Sequence, residues 1–125
     1  MKTTLIAPCG MNCGICMAFL REKNHCPGCR SPGVKHQKCR IRSCADMGGR
    51  YCFSCSVFPC RLLKNLDKRY RKKYGMSMVE NLESIRGGGI RKFVASEKER
   101  WACRDCGGTI NVHRYCCSTC GKITK

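Results

Sequence analysis

The sequence predicts a small metal-stabilised α+β protein: a cysteine-rich multi-zinc module, a short helical middle and a C-terminal zinc ribbon. Three observations carry this. Fifteen of the 125 residues are cysteine, and ten of these fall between Cys9 and Cys60. Four of the others form two Cys-x2-Cys pairs near the C-terminus. A cysteine-free stretch with helical periodicity separates the two groups, so the expected divisions are residues 1–61, 62–101 and 102–125.

The first division holds Cys9, Cys13, Cys16, Cys26, Cys29, Cys39, Cys44, Cys52, Cys55 and Cys60. Between them lie few apolar residues, among them Ile15, Phe19, Leu20, Val34, Ile41, Phe53, Val57 and Phe58. Such a segment does not offset its chain entropy by burial alone and needs a crosslink. A Cys-x2-Cys turn presents two thiolates to one ion, whereas a disulfide framework repeating so tight a spacing would be strained. All ten are therefore expected to be metal ligands. Ten thiolates make two four-thiolate sites with two left over. Adding His25 and His36 would give three sites, although solvated surface histidines are the plainer reading. Spacing does not say which pairs share an ion.

Within this module Asn12 or Cys13 is expected to open a short helix through Cys16, Met17, Phe19 and Leu20, ending near Lys23–Asn24. Asn is a good N-cap. Cys26-Pro27-Gly28-Cys29 is a knuckle whose proline and glycine preset the turn, and Ser31-Pro32-Gly33 is a loop. The tract 40–47 suits one or two helical turns stopped by Gly48-Gly49, and Cys52-x2-Cys55 is a further knuckle.

The N-terminal run MKTTLIAP is too short for a signal-peptide core, and no later stretch is long and apolar enough for a membrane span. No membrane partner and a reducing, cytoplasmic location are expected, where clustered thiols bind metal more often than they pair. The odd cysteine count also sits badly with complete pairing. The formal charge is +17 with cysteines counted neutral. Each zinc held by four thiolates removes two charges, so three ions would leave roughly +11. A basic surface favours nucleic acid or an acidic protein face.

In the middle division, Leu62, Leu63, Leu66 and Tyr70 form an apolar stripe at helical spacing. Lys64, Lys68, Arg71 and Lys72 lie opposite and are the candidate nucleic-acid contacts, with Gly75 as a stop. Ser77 and Glu80 match a capping box opening a helix with Val79, Leu82 and Ile85. Gly87-Gly88-Gly89 is expected to break it, and a third helix then carries Ile90, Phe93, Val94, Glu97 and Trp101 near one face.

The last division holds the most specific signal. Cys103-x2-Cys106 and Cys117-x2-Cys120 are two knuckles ten residues apart, each followed by glycine, with β-prone Thr109-Ile110-Asn111-Val112 between them. That is the layout of a zinc ribbon: hairpin, metal, hairpin. Cys116 is taken as a bystander and His113 as an orienting residue.

The run Cys9-Gly10-x2-Cys13-x2-Cys16, Cys26-x-Gly28-Cys29, Cys39-x-Ile41-x2-Cys44, Cys52-x2-Cys55 and Phe58-Pro59-Cys60 resembles a cysteine-rich family of archaea and anaerobic bacteria catalogued as a domain of unknown function. Longer members are similar through Tyr74-Gly75, Asn81-Leu82, Gly89-Ile90 and Trp101-x-Cys103-x2-Cys106-Gly107-Gly108, with His113 and the final knuckle. The resemblance implies a metal-binding, zinc-binding protein and brings no activity.

Three functions are weighed. The first is a zinc-stabilised, non-catalytic module whose basic helix contacts nucleic acid. The second is a zinc-structured adaptor for a protein partner. The third is an iron–sulfur or redox protein, since Cys9-x3-Cys13-x2-Cys16 has the radical-SAM cluster spacing, though the chain offers no barrel to hold a substrate. Ligands in surplus and scarce free acids and histidines weigh against a hydrolytic zinc, so no catalytic residue is assigned.

Overall fold

The computed structural model describes residues 1–31, 41, 49–55 and 57–123. The expected turn at Pro32-Gly33, the ligand candidates His36, Cys39 and Cys44 and, Ile41 apart, the helical tract 40–47 lie outside the described residues.

Helices dominate what is described. The expected N-terminal helix splits in two at Cys16: a single 3-10 turn, Cys13–Ile15, precedes helix α1 (Met17–Leu20). Asn12 caps the first piece, its side-chain oxygen accepting from the Gly14 N–H at 2.9 Å. Helix α2 (Arg61–Tyr74) ends at Gly75, whose φ of 68° is the left-handed conformation that glycine adopts without a Cβ clash. Leu63 and Asp67 are buried on α2, and Leu66, Tyr70 and Tyr74 pack partly buried beside them. Leu62 is a correction to the expected stripe: it is 40% exposed. One residue before Leu63 falls about 100° round the helix, off the face that the 63–66–70–74 spacing turns inward.

Buried Asp67 ties α2 to the next helix. Its carboxylate accepts from Ser77 Oγ at 2.6 Å and from the Val79 N–H at 3.0 Å. It also pairs with Arg71 Nε at 2.9 Å. Helix α3 (Met78–Gly88) starts at the capping residue Ser77, whose hydroxyl accepts from the Glu80 N–H at 3.1 Å. The helix runs through Gly87 and Gly88 and breaks only at Gly89, with φ of 90°. One break suffices to turn the chain, and the two earlier glycines are tolerated within the helix. Helix α4 (Ile90–Arg100) buries Phe93, Val94 and Glu97.

Helix α3 is the centre of the packing, resting on α2, α4 and the Cys52–Ser54 turn. One buried cluster joins Ile6 and Ile15 from the N-terminal loops, Leu63, Met76, Met78 and Leu82 from the helical region, and Val112 near the C-terminus. The N-terminal loop sits directly on α3 at Gly10. A Cβ there would lie 2.6 Å from Met78 O and 2.9 Å from Leu82 Cγ, so only glycine allows the approach. Asn81 Nδ2 donates to Gly10 O at 2.9 Å and holds it.

The α+β expectation holds only in part: the described residues are mostly helical, with isolated β-bridges in place of strands. In the C-terminal segment these join Ala102 to Thr109, Ile110 to Cys117, and Cys116 to Ile123. No strand-built ribbon is seen there. Turns with positive φ at Gly107, Tyr115 and Gly121 leave too few extended residues between them for a ladder. No helix among the described residues is long and apolar enough to cross a membrane.

Candidate metal centres

After α4 the chain enters the C-terminal knuckles through buried Trp101 and Cys103. Cys103, Cys106, Cys117 and Cys120 come together with their four sulfurs all within 4.8 Å of one another. Across the group, Cys103 Sγ lies 3.8 Å from Cys120 Sγ, and Cys106 Sγ lies 3.4 Å from Cys117 Sγ. A tetrahedron of thiolates about 2.3 Å from its centre has edges of about 3.8 Å, so the donors fit a single ion. The backbone supports the charged form. The N–H groups of Thr119 and Cys120 reach Cys117 Sγ at 3.3 and 3.5 Å, and that of Gly108 reaches Cys106 Sγ at 3.4 Å. Gly108 is itself required, because a Cβ there would lie 2.5 Å from Thr119 Oγ1 and 2.9 Å from Cys117 Sγ.

These contacts separate the two central thiols. The Cys120 N–H, with that of Thr119, holds Cys117 below the ordinary thiol range, which favours its thiolate. The Gly108 N–H draws Cys106 down, but its thiol is shared with Cys117 and its neighbours, and it ends raised, to about 12. Cys116 stands aside: its sulfur accepts from Asn111 Nδ2 at 3.3 Å.

The N-terminal cysteines are arranged differently. Cys9, Cys13, Cys26 and Cys52 are buried, while Cys16, Cys29, Cys55 and Cys60 are half-buried. Two Cys-x2-Cys pairs, Cys13 with Cys16 and Cys26 with Cys29, line one cavity of about 310 Å³. The pairs touch directly, the Cys29 N–H donating to Cys13 Sγ at 3.3 Å. Contact with the Cys29 thiol lowers the Cys13 pKa against the opposing effect of burial, whereas burial raises Cys16. Among the described residues only the C-terminal four have sulfurs drawn to one point.

Tyr70 and His113 close the same cavity. His113 Nδ1 accepts from the Met17 N–H at 3.2 Å, so a neutral ring carries its proton on Nε2, 3.3 Å from Tyr70 Oη. Both ring nitrogens are engaged, which makes His113 an orienting residue that pins the C-terminal segment to α1. The adjacent Val112 N–H donates to Ile15 O at 2.9 Å, on the same turn. His25 is exposed and stacks obliquely on Phe19, with ring centroids 5.2 Å apart. Spacing gave no sign of the Tyr70–His113 pair, since its members lie 43 residues apart.

On α2 the predicted basic residues Lys64, Lys68, Arg71 and Lys72 are all exposed, as are Arg61, Arg69 and Lys73. Arg71 is also engaged inward with Asp67. The outward face therefore carries free lysines beside one arginine with a structural task.

No match is found among curated proteins or among solved structures. Residues 5–65 match the family model described as "Protein of unknown function (DUF3795)". The matched segment holds the ten N-terminal cysteines and is similar to that family of unknown function; the four-cysteine cluster at Cys103, Cys106, Cys117 and Cys120 lies outside it.

Proposed function

We propose that the chain is a zinc-binding, non-catalytic module: a ribbon-like structural centre at Cys103, Cys106, Cys117 and Cys120, and a basic α2 face for nucleic acid. The observation that carries this is the convergence of the four C-terminal sulfurs. Four protein thiolates would fill tetrahedral zinc and leave no position for water or substrate. A bound zinc would supply a crosslink between the knuckles in place of the missing strand ladder. The nearest acid among the neighbouring residues, Asp105, is committed to Lys122 at 2.5 Å, which leaves it a poor general base.

The nucleic-acid part rests on α2. Seven of its fourteen residues are Lys or Arg, all exposed, and its one acid, Asp67, is buried. Such a face suits a phosphate backbone and carries no base-reading pattern. Its test is a salt titration of binding to mixed-sequence RNA and duplex DNA. The variant K64Q/K68Q/K72Q leaves Arg71 on Asp67 and so preserves the helix. Each lost phosphate contact changes the log–log slope by about 0.9 on duplex, so the triple variant is expected to flatten it by about 2–3. Wild-type protein that shows no salt-dependent binding would hand the site to a protein-adaptor role. Exposed Val57 and Leu62, either side of Cys60, favour that second reading.

A further inference from the structure

We propose that Cys13, Cys16, Cys26 and Cys29 form a second four-thiolate site, which takes one thiophilic metal group independently of the C-terminal centre. The spacing in the sequence repeats the C-terminal one. Two Cys-x2-Cys pairs are separated by nine residues here and by ten there. Both pairs open on the same cavity of about 310 Å³, and neither Cys9, Cys52, Cys55 nor Cys60 lines it. The knuckles are already joined, since the Cys29 N–H rests on Cys13 Sγ at 3.3 Å and the Cys26 N–H donates to Ala18 O at 2.8 Å. That second bond fixes the later pair against the helix that follows the earlier one.

The surroundings suit a buried thiolate group. Cys13 and Cys26 are at most 5% exposed. Phe19, Met17 and Tyr70 supply apolar walls, and Arg21 is the cation at the rim. Four thiolates around a divalent ion carry a net charge of about −2, which Arg21 partly offsets. His113 also lines the cavity, but both its ring nitrogens are held by Met17 and Tyr70, so the donor set is sulfur alone. Sulfur-only donors select zinc or an iron–sulfur cluster over oxygen-seeking ions. The cavity is wide enough for the sulfurs to close on one ion or to stand around a cluster.

The test uses the full chain, produced and purified without oxygen. Zinc, iron and acid-labile sulfide are counted in the wild type and in C16S, C29S, C16S/C29S and C103S. C16S and C29S are each expected to lose the same single group, and the double variant no more than either. C103S is expected to lose a different one, so failure of the C-terminal assignment shows separately. Loss of one zinc identifies an ion; loss of iron with sulfide identifies a cluster. Either keeps the assignment. A double variant that loses two groups, or single variants that lose none, overturns it.

Should the serine variants fail to fold, wild-type protein reconstituted with cadmium decides instead. One cadmium is expected to correlate with the β-protons of Cys13, Cys16, Cys26 and Cys29 together. A cadmium shared between one of these pairs and Cys9, Cys39, Cys44, Cys52, Cys55 or Cys60 would sink the proposal.

Discussion

The two cysteine regions solve one problem by opposite means. In the C-terminal segment the sulfurs converge within eighteen residues of chain, positioned by tight turns whose N–H groups point at them. In the N-terminal module Cys13, Cys16, Cys26 and Cys29 line a shared cavity, and the loops that carry them are positioned from outside. Gly10 rests on α3, Asn12 on Glu97 of α4, and Ile15 and Met17 on Val112 and His113. A locally built centre is expected to respond to its own ligands alone. A remotely built one is expected to respond to distant packing that never touches a sulfur.

The largest effect that separates them is loss of a C-terminal ligand. Structural zinc contributes apparent free energies of about 10–16 kcal/mol in small zinc-dependent units. C103S is therefore expected to lower zinc by one per chain and to strip amide protection from Ile110 and Val112 in hydrogen exchange. Unchanged zinc would remove the C-terminal centre from the proposal. A smaller effect is expected from G10A, which forces a methyl group against Met78 O and Leu82. Overpacking and the positive φ together cost about 1–3 kcal/mol, read as a lower urea midpoint. The C-terminal zinc is expected to stay. A midpoint within about 0.5 kcal/mol of wild type would mean that the loop is not held on α3 in this way.

Sequence legibility follows the same division. The C-terminal grouping was readable because its geometry is local: two knuckles, glycines after each, and few residues between. The Ser77 cap and the Gly75 stop were readable for the same reason. The strand content was overread, because β-prone residues 109–112 suggest a hairpin while the turns on both sides leave room only for bridges. Leu62 was misplaced because a leucine-rich start to a helix hides which leucine faces inward. Asp67 gave no sign of burial, since its partners Ser77 and Val79 lie on the next helix. The Cys13–Cys29 contact was beyond spacing, which permits several pairings and is settled only when tertiary packing brings one set together.

The smallest predicted effect probes how the N-terminal module is held. Asn12, fully buried, caps the turn that begins at Cys13, and its Nδ2 donates to Glu97 Oε1 at 3.3 Å. Glu97 is 3% exposed, and burial raises its pKa despite the opposing bond from Asn12 and the charge of Arg100, 3.9 Å away. A carboxyl raised above its unfolded value stabilises the fold while it is protonated. That contribution is complete below the ordinary carboxylate pKa and is lost as pH rises through the raised one. Glu97→Gln keeps an oxygen to accept from Asn12 and removes the titration. Relative to wild type, the variant is expected to gain stability as pH rises from the ordinary carboxylate pKa through the raised one, and then to hold that gain. Thermal melts of both proteins across that range read the difference directly. A constant difference at every pH would show that the carboxylate is solvated as well in the fold as out of it, and that Asn12 alone holds the turn.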